Sequence, residues 1–308
     1  MEEKQYDAIV LGGGPAGLTA GIYLSRAKAS TLILDTGTIG GQTVLTFEVA
    51  NYPGIETTTG YQLSSIMRKQ AKSFGCDIKS NIKISNLKLD GEIKSVTVND
   101  NVEYSAKSII LATGGRSRML NVPGEADFKG KGISYCATCD GDFFQDKEII
   151  VVGGGNSALE EAVALTKYAS KVTILHEFDH FQAFEHAIES VKSNPKIDFI
   201  MNSHISEFFG DDKLTHINYK DLKTGEIKEK NIDGVFIFIG YVANTNMLKD
   251  TSVNLNERGE IITDEQLQTN IEGVFAAGDN RVVRYRQITT AVADGTISAL
   301  NTLEYLNH

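Results

Sequence analysis

The chain has 308 residues, of which 41% are hydrophobic and 23% are charged, so disordered and fibrous proteins are excluded. Its net charge of −10 argues against general affinity for nucleic acids or anionic membranes. The N-terminal stretch, MEEKQYDAIV, is acidic where a secretory signal is basic, and no run approaches the roughly 18 apolar residues of a membrane span. We therefore expect a cytoplasmic globular protein of about two domains.

The first predicted unit is DAIVLGGGPAGLTAGIYLSRAKASTLILD, residues 7–35, which combines a strand, a glycine-rich turn, a helix and a second strand. Its turn reads Gly12-x-Gly14-x-x-Gly17. Small residues there let the backbone approach a pyrophosphate at the helix N-terminus and let the helix pack closely on the strand. Asp35 ends the second strand, at the spacing of an acid that binds ribose hydroxyls. The segment therefore predicts a dinucleotide site.

Two later apolar strands end in turns typical of flavoproteins that bind two dinucleotides. SIILATGG, residues 108–115, ends in Ala-Thr-Gly, and GVFAAGD, residues 273–279, ends in Gly-Asp. In such flavoproteins these strands return the chain to the FAD domain, and the acid contacts the ribityl or phosphate region. The first glycine-rich turn is therefore predicted to bind FAD.

Between these strands lies GISYCATCDGDFF, in which Cys136 and Cys139 are separated by two residues and Asp140 follows. In a cytoplasmic protein such a pair is more typical of catalysis or metal binding than of a structural disulfide. A zinc site requires about four ligands, commonly from a second Cys/His pair. The remaining cysteine, Cys76, is expected to be a small buried residue, and no histidine pair has suitable spacing. We therefore predict no metal site.

Residues 148–176 repeat the pattern of residues 7–35 without a gap, at an offset of 141. The repeat contains Gly153-x-Gly155-x-x-Ala158 and predicts a second βαβ unit. The chain is thus predicted to be an α/β protein with two Rossmann-like dinucleotide-binding domains, the second inserted into the first, and the short connections favour rotation of the insert. The expected domains are an FAD-binding domain, 1–114 and 243–308, and an inserted NAD(P)-like domain, 115–242, that carries the Cys-x-x-Cys pair.

In their order and spacing these motifs resemble the low-molecular-weight thioredoxin reductases. The resemblance implies a homodimeric FAD enzyme whose inserted domain alternately presents its disulfide to the flavin and exposes its dithiol to thioredoxin. It implies that Cys139 lies against the flavin, that Cys136 attacks the substrate disulfide, and that Asp140 acts as acid or base at the thiols. A helix cap is the alternative role for Asp140. The matching segments are GGGPAG, GGQ (40–42), EVANYPG (48–54), LATGG, CATCDG, GGGNSALEEA, FIFIGYVANT, GVFAAGD and YRQITTAVADG.

The positions that match the family's FAD site come from both parts of the expected FAD domain. Glycines let the backbone run along the cofactor, and Arg286 offers a cation beside an anionic cofactor. For Asn51 and Arg286 the alternative is a surface or interface hydrogen bond. The implied FAD-binding residues are Gly12, Gly14, Ala16, Gly17, Asp35, Gly40, Gly41, Gln42, Asn51, Thr113, Gly114, Asp279, Arg286 and Gln287.

One segment departs from the family. The family's loop for the 2′-phosphate of NADPH reads His-Arg-Arg-x-x-x-Arg, whereas this chain has HEFDHFQA (176–183), with Glu177, Phe178 and Gln182 at the arginine positions. Loss of three cations should weaken NADPH binding by orders of magnitude, because one close charge pair is worth about 1–4 kcal/mol. His176, rather than an acid, follows the second strand, and Glu177 comes one residue later, so NADH remains open.

The ferredoxin-dependent flavin thioredoxin reductases share this departure, and the chain resembles them most. We therefore expect ferredoxin as the electron donor. Because ferredoxins are acidic, docking requires a local basic patch, for which the alternative is a solvated charge run or a dimer contact. Still open are an NADH- or NADPH-dependent thioredoxin reductase, a flavin NAD(P)H oxidase or peroxide-linked reductase, and a non-enzymatic thiol sensor. The candidate patch residues are Arg281, Arg284 and Arg286, with Arg116 and Arg118.

Overall fold

The computed structural model describes residues 4–46 and 49–307. The helices are α1 (Pro15–Arg26), α2 (Gly60–Ser73), α3 (Ala137–Asp140), α4 (Asn156–Leu165), α5 (Glu185–Lys192) and α6 (Ile288–Asn307). The strands are β1 (Lys4–Leu11), β2 (Thr31–Leu34), β3 (Asp77–Lys79), β4 (Ile84–Lys88), β5 (Lys94–Val98), β6 (Val102–Leu111), β7 (Gly115–Ser117), β8 (Ile133–Ser134), β9 (Glu148–Val152), β10 (Lys171–Leu175), β11 (Ile197–Ile200), β12 (Ser203–Gly210), β13 (Leu214–Asp221), β14 (Ile227–Asn231), β15 (Gly234–Ile237), β16 (Tyr241–Ala243) and β17 (Val274–Ala276).

The chain divides into two compact units. The first, here called the discontinuous unit, consists of Met1–Arg116 and Val242–His308, and the second, the inserted unit, consists of Ser117–Tyr241. The two connecting segments, β7 and β16, pair with each other. In the described part of the chain no helix is long and apolar enough to cross a membrane.

The discontinuous unit is built on a seven-stranded sheet of order β3-β2-β1-β6-β5-β4, with β17 beside β6. Strand β1 runs parallel to β2 and β6, and β17 runs parallel to β6. The last four residues of β1 and of β6, and all residues of β2 and β17, are buried, as expected when both faces of a parallel sheet are covered. Helices α1, α2 and α6 cover one face, and the chain from Leu248 to Ile271 contributes apolar side chains to the other.

Strand register brings several chain turns to one edge of this sheet. Leu11 pairs with Leu34 of β2 and with Leu111 of β6, and Leu111 pairs with Ala276 of β17. Because the strands are parallel, the residues that follow each of them meet at the carboxyl edge, which is where ligands bind in open α/β sheets.

The inserted unit contains a five-stranded parallel sheet of order β11-β10-β9-β15-β8 and an antiparallel sheet of β12, β13 and β14. Strand β9, helix α4 and strand β10 form the second βαβ unit that the repeat predicted. Helices α4 and α5 pack on one face of the parallel sheet, and the antiparallel sheet packs on the other. The predicted α/β class with two Rossmann-like units is confirmed.

Candidate functional site

The first glycine-rich turn joins β1 to α1 at the carboxyl edge of the sheet. Gly12 has φ of 109°, and a Cβ on it would lie 2.1 Å from the Ala112 carbonyl oxygen. A Cβ on Gly17 would lie 1.9 Å from the Gly12 carbonyl oxygen. No side chain fits at either position, so helix α1 packs directly on the strand ends and its N-terminus faces the edge.

Asp35, directly after β2, binds this turn. Its Oδ2 accepts a hydrogen bond from the Gly13 N–H at 2.5 Å, and its Oδ1 accepts one from the Gly37 N–H at 2.7 Å. An ionised carboxylate offers about four acceptor sites. Both oxygens of Asp35 therefore retain capacity for the hydroxyls of a ribose.

The loop after Asp35 returns to the same turn. The Gly40 N–H donates to the Gly13 carbonyl at 2.7 Å. A Cβ added to Gly14 would find one atom within 4 Å among the described residues, the Gly41 Cα at 4.0 Å. The space between these two glycines is lined by main chain, which suits a pyrophosphate at the N-terminus of α1. Gln42, next in the loop, is exposed.

The strand ends β6 and β17 complete this edge. The Asn280 Nδ2 donates to the Leu111 carbonyl at 2.9 Å and to Thr113 Oγ1 at 3.1 Å. Asn280 is fully buried, yet its Oδ1 has no hydrogen-bond partner in residues 4–46 and 49–307. Gly114, with φ of 61°, follows Thr113. Asn280 was not predicted from the sequence, in which its position directly after Gly-Asp was the available signal.

Ala16 is the second residue of α1, and Asp279 follows the turn after β17 that packs against it. A Cβ on Gly278 would be 3.0 Å from the Ala16 Cβ, so the turn after β17 lies against this helix. Asp279, the next residue, is half-buried. The Gly278 N–H donates at 2.9 Å to Oδ2 of Asp294, which is buried in α6.

The remaining predicted FAD residues lie in two loops far apart in sequence. The Asn51 Nδ2 donates to the Gln287 Oε1 at 3.4 Å across a separation of 236 residues. Glu48, the first residue of EVANYPG, lies outside the described residues. Arg286 forms an ion pair with Glu260, a buried carboxylate that was not predicted from the sequence.

The cysteine pair lies in the inserted unit, just after β8. Cys136 and Cys139 form a disulfide with a Cα–Cα distance of 5.3 Å, and one turn of helix, α3, lies between Cys136 and Asp140. Both cysteines are partly exposed, as a disulfide that exchanges with a partner must be. The sulfur of Cys136 lies 3.4 Å from Thr138 Oγ1.

Asp140 is half-buried beside this disulfide. Its Oδ2 accepts a hydrogen bond from the Ser134 hydroxyl at 2.5 Å and its side chain makes no helix-cap hydrogen bond, so the capping alternative lacks support. Burial raises the pKa of Asp140 above its ordinary value, the hydrogen bond from Ser134 opposes that rise, and the Asp142 carboxylate adds to it. A carboxyl of raised pKa can hold a proton nearer to neutral pH.

A buried carboxylate also holds the residue that precedes the cysteine pair. Glu125 is 1% exposed and accepts hydrogen bonds from the Leu120 N–H at 2.9 Å, the Asn121 N–H at 2.6 Å and the Tyr135 hydroxyl at 2.8 Å. Burial raises the pKa of Tyr135, and the hydrogen bond and charge of Glu125 raise it further. The side chain of Tyr135, the residue before Cys136, is therefore held in place by the Glu125 carboxylate.

The second glycine-rich turn, between β9 and α4, is closely packed by His176. The His176 ring is 5% exposed, and a Cβ on Gly154 would lie 2.4 Å from its Nε2. That nitrogen has no hydrogen-bond partner in the described chain, and burial lowers the pKa of the imidazole. Phe178 and Phe181 lie beside it, with ring centroids 5.3 and 6.0 Å away.

Within the described part of the chain, no group of three His, Cys, Asp or Glu side chains is placed to hold a metal ion.

Comparison with known proteins identifies the family. A model of the family described as pyridine nucleotide-disulphide oxidoreductase matches residues 6–295. A thioredoxin reductase of Peptoclostridium acidaminophilum is 47% identical over 311 residues, which cover 99% of this chain and 98% of that protein. A "34.2 kDa protein in rubredoxin operon" of Clostridium pasteurianum is 44% identical over 305 residues, covering 99% and 98%. The crystal structure of thioredoxin reductase from Streptococcus pyogenes superposes with a TM-score of 0.94 at 39% identity, covering 99% of both chains.

This chain belongs to the low-molecular-weight thioredoxin reductase family. Thioredoxin reductases bind FAD, and the discontinuous unit fits this cofactor. The main-chain groove at Gly14 and Gly41 has room for phosphates, Asp35 has acceptor capacity for ribose, and the orphaned Oδ1 of Asn280 needs a donor. The residues of the first motif would thus hold the adenosine and pyrophosphate part of FAD.

The arginine loop of thioredoxin reductases is replaced here by an aromatic and acidic segment. Glu177 and Phe178 are exposed, and no lysine or arginine occurs from residue 176 to residue 184. The Gln182 N–H donates to the Gly154 carbonyl at 2.8 Å, so the segment still returns to the glycine-rich turn. The βαβ scaffold is therefore intact, while the cations that would bind a 2′-phosphate are absent from that loop.

Proposed function

We propose that this protein is a cytoplasmic, FAD-dependent thioredoxin reductase whose electron donor is ferredoxin. The observation that carries the reductase activity is the disulfide of Cys136 and Cys139 beside a half-buried Asp140, in a chain of this family. FAD, held by the residues of the first glycine-rich motif, would supply the electron pair that opens the disulfide, and two one-electron donations from ferredoxin would replace that pair.

The chain's own residues complete the transfer to thioredoxin. Reduction of the Cys136–Cys139 bond consumes two electrons and two protons and yields two thiols, and Asp140 can deliver one of those protons. The Cys136 thiolate then attacks the thioredoxin disulfide and forms a mixed disulfide, which Cys139 breaks as it re-forms the bond to Cys136. Thioredoxin leaves as the dithiol, so electrons and protons balance.

The choice of donor rests on the second glycine-rich turn. No cation for a 2′-phosphate is provided by Glu177, Phe178 or Gln182. His176 occupies the position at which an acid that binds ribose is expected, and its ring packs against the glycine-rich turn. A relative is named for its place in a rubredoxin operon, which associates that protein with a small iron electron carrier. Both observations favour a protein donor over NADPH.

Two of the arginines in the proposed docking patch are paired with carboxylates in the folded protein. Arg281 donates to both carboxylate oxygens of Asp294, at 2.8 and 2.7 Å, and Arg286 pairs with Glu260. Arg284 is exposed and lies over the Tyr285 ring, 5.2 Å from its centroid. Of these three arginines, Arg284 is therefore the one we assign to an acidic donor.

The donor is tested by anaerobic flavin bleaching. Purified holoenzyme is mixed separately with NADPH, NADH and reduced ferredoxin, and thioredoxin reduction is then followed. Ferredoxin should bleach the flavin rapidly and support thioredoxin reduction, whereas Cys136→Ser should be bleached but reduce no thioredoxin. Rapid bleaching by micromolar NADPH would overturn the donor assignment. Rapid oxygen or peroxide turnover without thioredoxin would overturn the reductase assignment in favour of an oxidase.

We also propose a homodimer. Large apolar side chains are exposed along the 3-10 turn Gly41–Leu45 and helices α2 and α6 of the discontinuous unit, a pattern that favours burial against a second copy. A mass by light scattering of about twice 33.6 kDa is expected, and a monomer at micromolar concentration would contradict it. These side chains, with their exposed fractions, are Leu45 (62%), Tyr61 (69%), Ile66 (55%), Ile297 (40%) and Leu300 (49%).

A further inference from the structure

We propose that Ser134 is a positioning residue for Asp140, whose carboxyl group its hydroxyl keeps hydrogen-bonded in both protonation states. The inference rests on the proposed function, in which Asp140 exchanges protons with the thiols. Ser134 belongs to β8, directly before Tyr135 and Cys136, and is 4% exposed.

The hydroxyl of Ser134 has three neighbours at hydrogen-bond distance. It lies 2.5 Å from Asp140 Oδ2, 3.1 Å from the Cys136 amide nitrogen and 3.3 Å from the Cys136 carbonyl oxygen. A hydroxyl has one hydrogen to donate and two lone pairs that accept. These three neighbours match its full capacity when Asp140 is protonated and donates, whereas with Asp140 ionised the single hydrogen serves the carboxylate and not the Cys136 carbonyl.

Two arrangements follow from this geometry. With Asp140 ionised, the Ser134 hydroxyl donates to Oδ2 and accepts from the Cys136 N–H. With Asp140 protonated, the acid donates to Ser134 Oγ, and the serine hydrogen turns to the Cys136 carbonyl while the Cys136 N–H bond stays in place. In both states the Ser134 hydroxyl and the Asp140 oxygen beside it are hydrogen-bonded. Asp140 can therefore gain or lose its proton without a rearrangement of the chain.

The serine is also attached to a rigid element. Ser134 pairs with Phe236 in the parallel sheet, while Asp140 follows on the single helical turn α3. The hydroxyl therefore links the acid to the sheet and to the main chain of Cys136. The charged group that acts on Asp140 is Asp142 in the next turn, and the acids of α4, the helix packed against α3, are Glu160 and Glu161.

The test measures thiol exchange without ferredoxin, nicotinamide or thioredoxin, so it can fail while the proposed donor and substrate stand. Holoenzyme is reduced with excess dithiothreitol under anaerobic conditions, desalted, and mixed with 2-hydroxyethyl disulfide, whose leaving thiolate is basic and needs a proton. The loss of thiols at Cys136 and Cys139 is followed over a pH series by acid quench, alkylation and peptide mass spectrometry. The thiolate is the attacking species, so the rate at each pH is divided by the thiolate fraction of Cys136. Since the acid must be protonated to act, this corrected rate falls as the pH rises through the pKa of Asp140.

Ser134→Ala should slow exchange by about tenfold at the pH where the wild type is fastest, which corresponds to one lost hydrogen bond to a charged group. It should also shift the falling part of the pH profile, here called the limb, to higher pH, because the Asp140 carboxylate loses a hydrogen-bond donor and its pKa rises. In an Asp140→Asn background the same substitution should have no further effect. An unmoved limb, or a full effect of Ser134→Ala in the Asp140→Asn background, would overturn the proposal.

Two further substitutions of Ser134, with side chains of equal shape, keep the test decisive if the alanine variant misfolds. Ser134→Thr and Ser134→Val occupy the same volume and differ in the hydroxyl. The threonine variant should retain the wild-type position of the limb and the valine variant should shift it. Identical profiles for these two proteins would overturn the assignment.

Discussion

Arg286 is paired with Glu260, a carboxylate that is only 7% exposed and that also accepts a hydrogen bond from the Asn256 Nδ2 at 2.8 Å. Arg286 directly precedes Gln287, which contacts Asn51. The guanidinium at the predicted FAD site is therefore neutralised by the protein itself. The role predicted for Arg286 at FAD is then one of position and hydrogen bonding more than of net positive charge.

Glu260→Gln should destabilise the discontinuous unit, because it removes the buried carboxylate that is paired with the Arg286 guanidinium. We expect a loss of about 1–3 kcal/mol, below the usual cost of breaking a fully buried pair since a quarter of the arginine side chain is exposed. Urea unfolding at saturating FAD measures the loss. Glu265→Gln, an exposed acid in the same stretch, is the matched control. Equal unfolding midpoints for the two variants would show that the pair contributes no stability.

If the proposed ferredoxin donor is correct, introducing the three arginines should make NADPH an efficient donor. Glu177→Arg, Phe178→Arg and Gln182→Arg together should raise the rate of anaerobic flavin bleaching by NADPH at least roughly 100-fold, since three charge pairs to a phosphate are regained. The loop that carries them already returns to the Gly154 carbonyl, so the scaffold need not change.

The control for the triple variant is NADH, which lacks the 2′-phosphate. The gain should be confined to NADPH. An equal gain with NADH would mean that the arginines act through something other than the phosphate, and a wild-type protein already bleached as fast as the variant would contradict the premise.

The βαβ units were predictable from the sequence because their signals are local. Apolar runs, glycine spacing and the distance to Asp35 are set within 29 residues of chain, and the structure places Asp35 on the Gly13 N–H. The family resemblance added the residues in distant loops, and Asn51 and Gln287 do meet.

Long-range charge pairing could not be predicted in the same way. The segment NRVVRYRQ reads as a basic patch when its charges are counted along the chain. In the folded protein Arg281 reaches Asp294 on α6, and Arg286 reaches a glutamate 26 residues earlier. Those partners are set by the tertiary path of the chain, which no local pattern encodes.

Cys76 should remain unreactive in the native protein. It is 5% exposed, and burial raises the pKa of its thiol to about 11, so the thiol stays protonated and shielded near neutral pH. After reduction, a thiol reagent should label Cys136 and Cys139 rapidly and Cys76 only on unfolding. Cys76→Ala should lower the count in denaturant by one and leave the native count unchanged. Rapid native labelling at Cys76 would contradict its burial.

His176 should make the inserted unit less stable in acid. Burial lowers the pKa of this imidazole below its ordinary value of about 6.5, so the unfolded chain takes up a proton there at a higher pH than the folded chain does. The stability contributed by neutral His176 is complete above about pH 6.5 and is lost as the pH falls toward its folded pKa.

His176→Leu removes this proton uptake, so the variant should gain stability relative to wild type as the pH is lowered. Urea unfolding at a series of pH values measures this gain. His186→Leu, at an exposed position of α5, controls for the loss of a histidine and should run parallel to wild type. If the free energy of unfolding of His176→Leu has the same pH dependence as that of the wild type, protonation of His176 is not coupled to folding in this pH range.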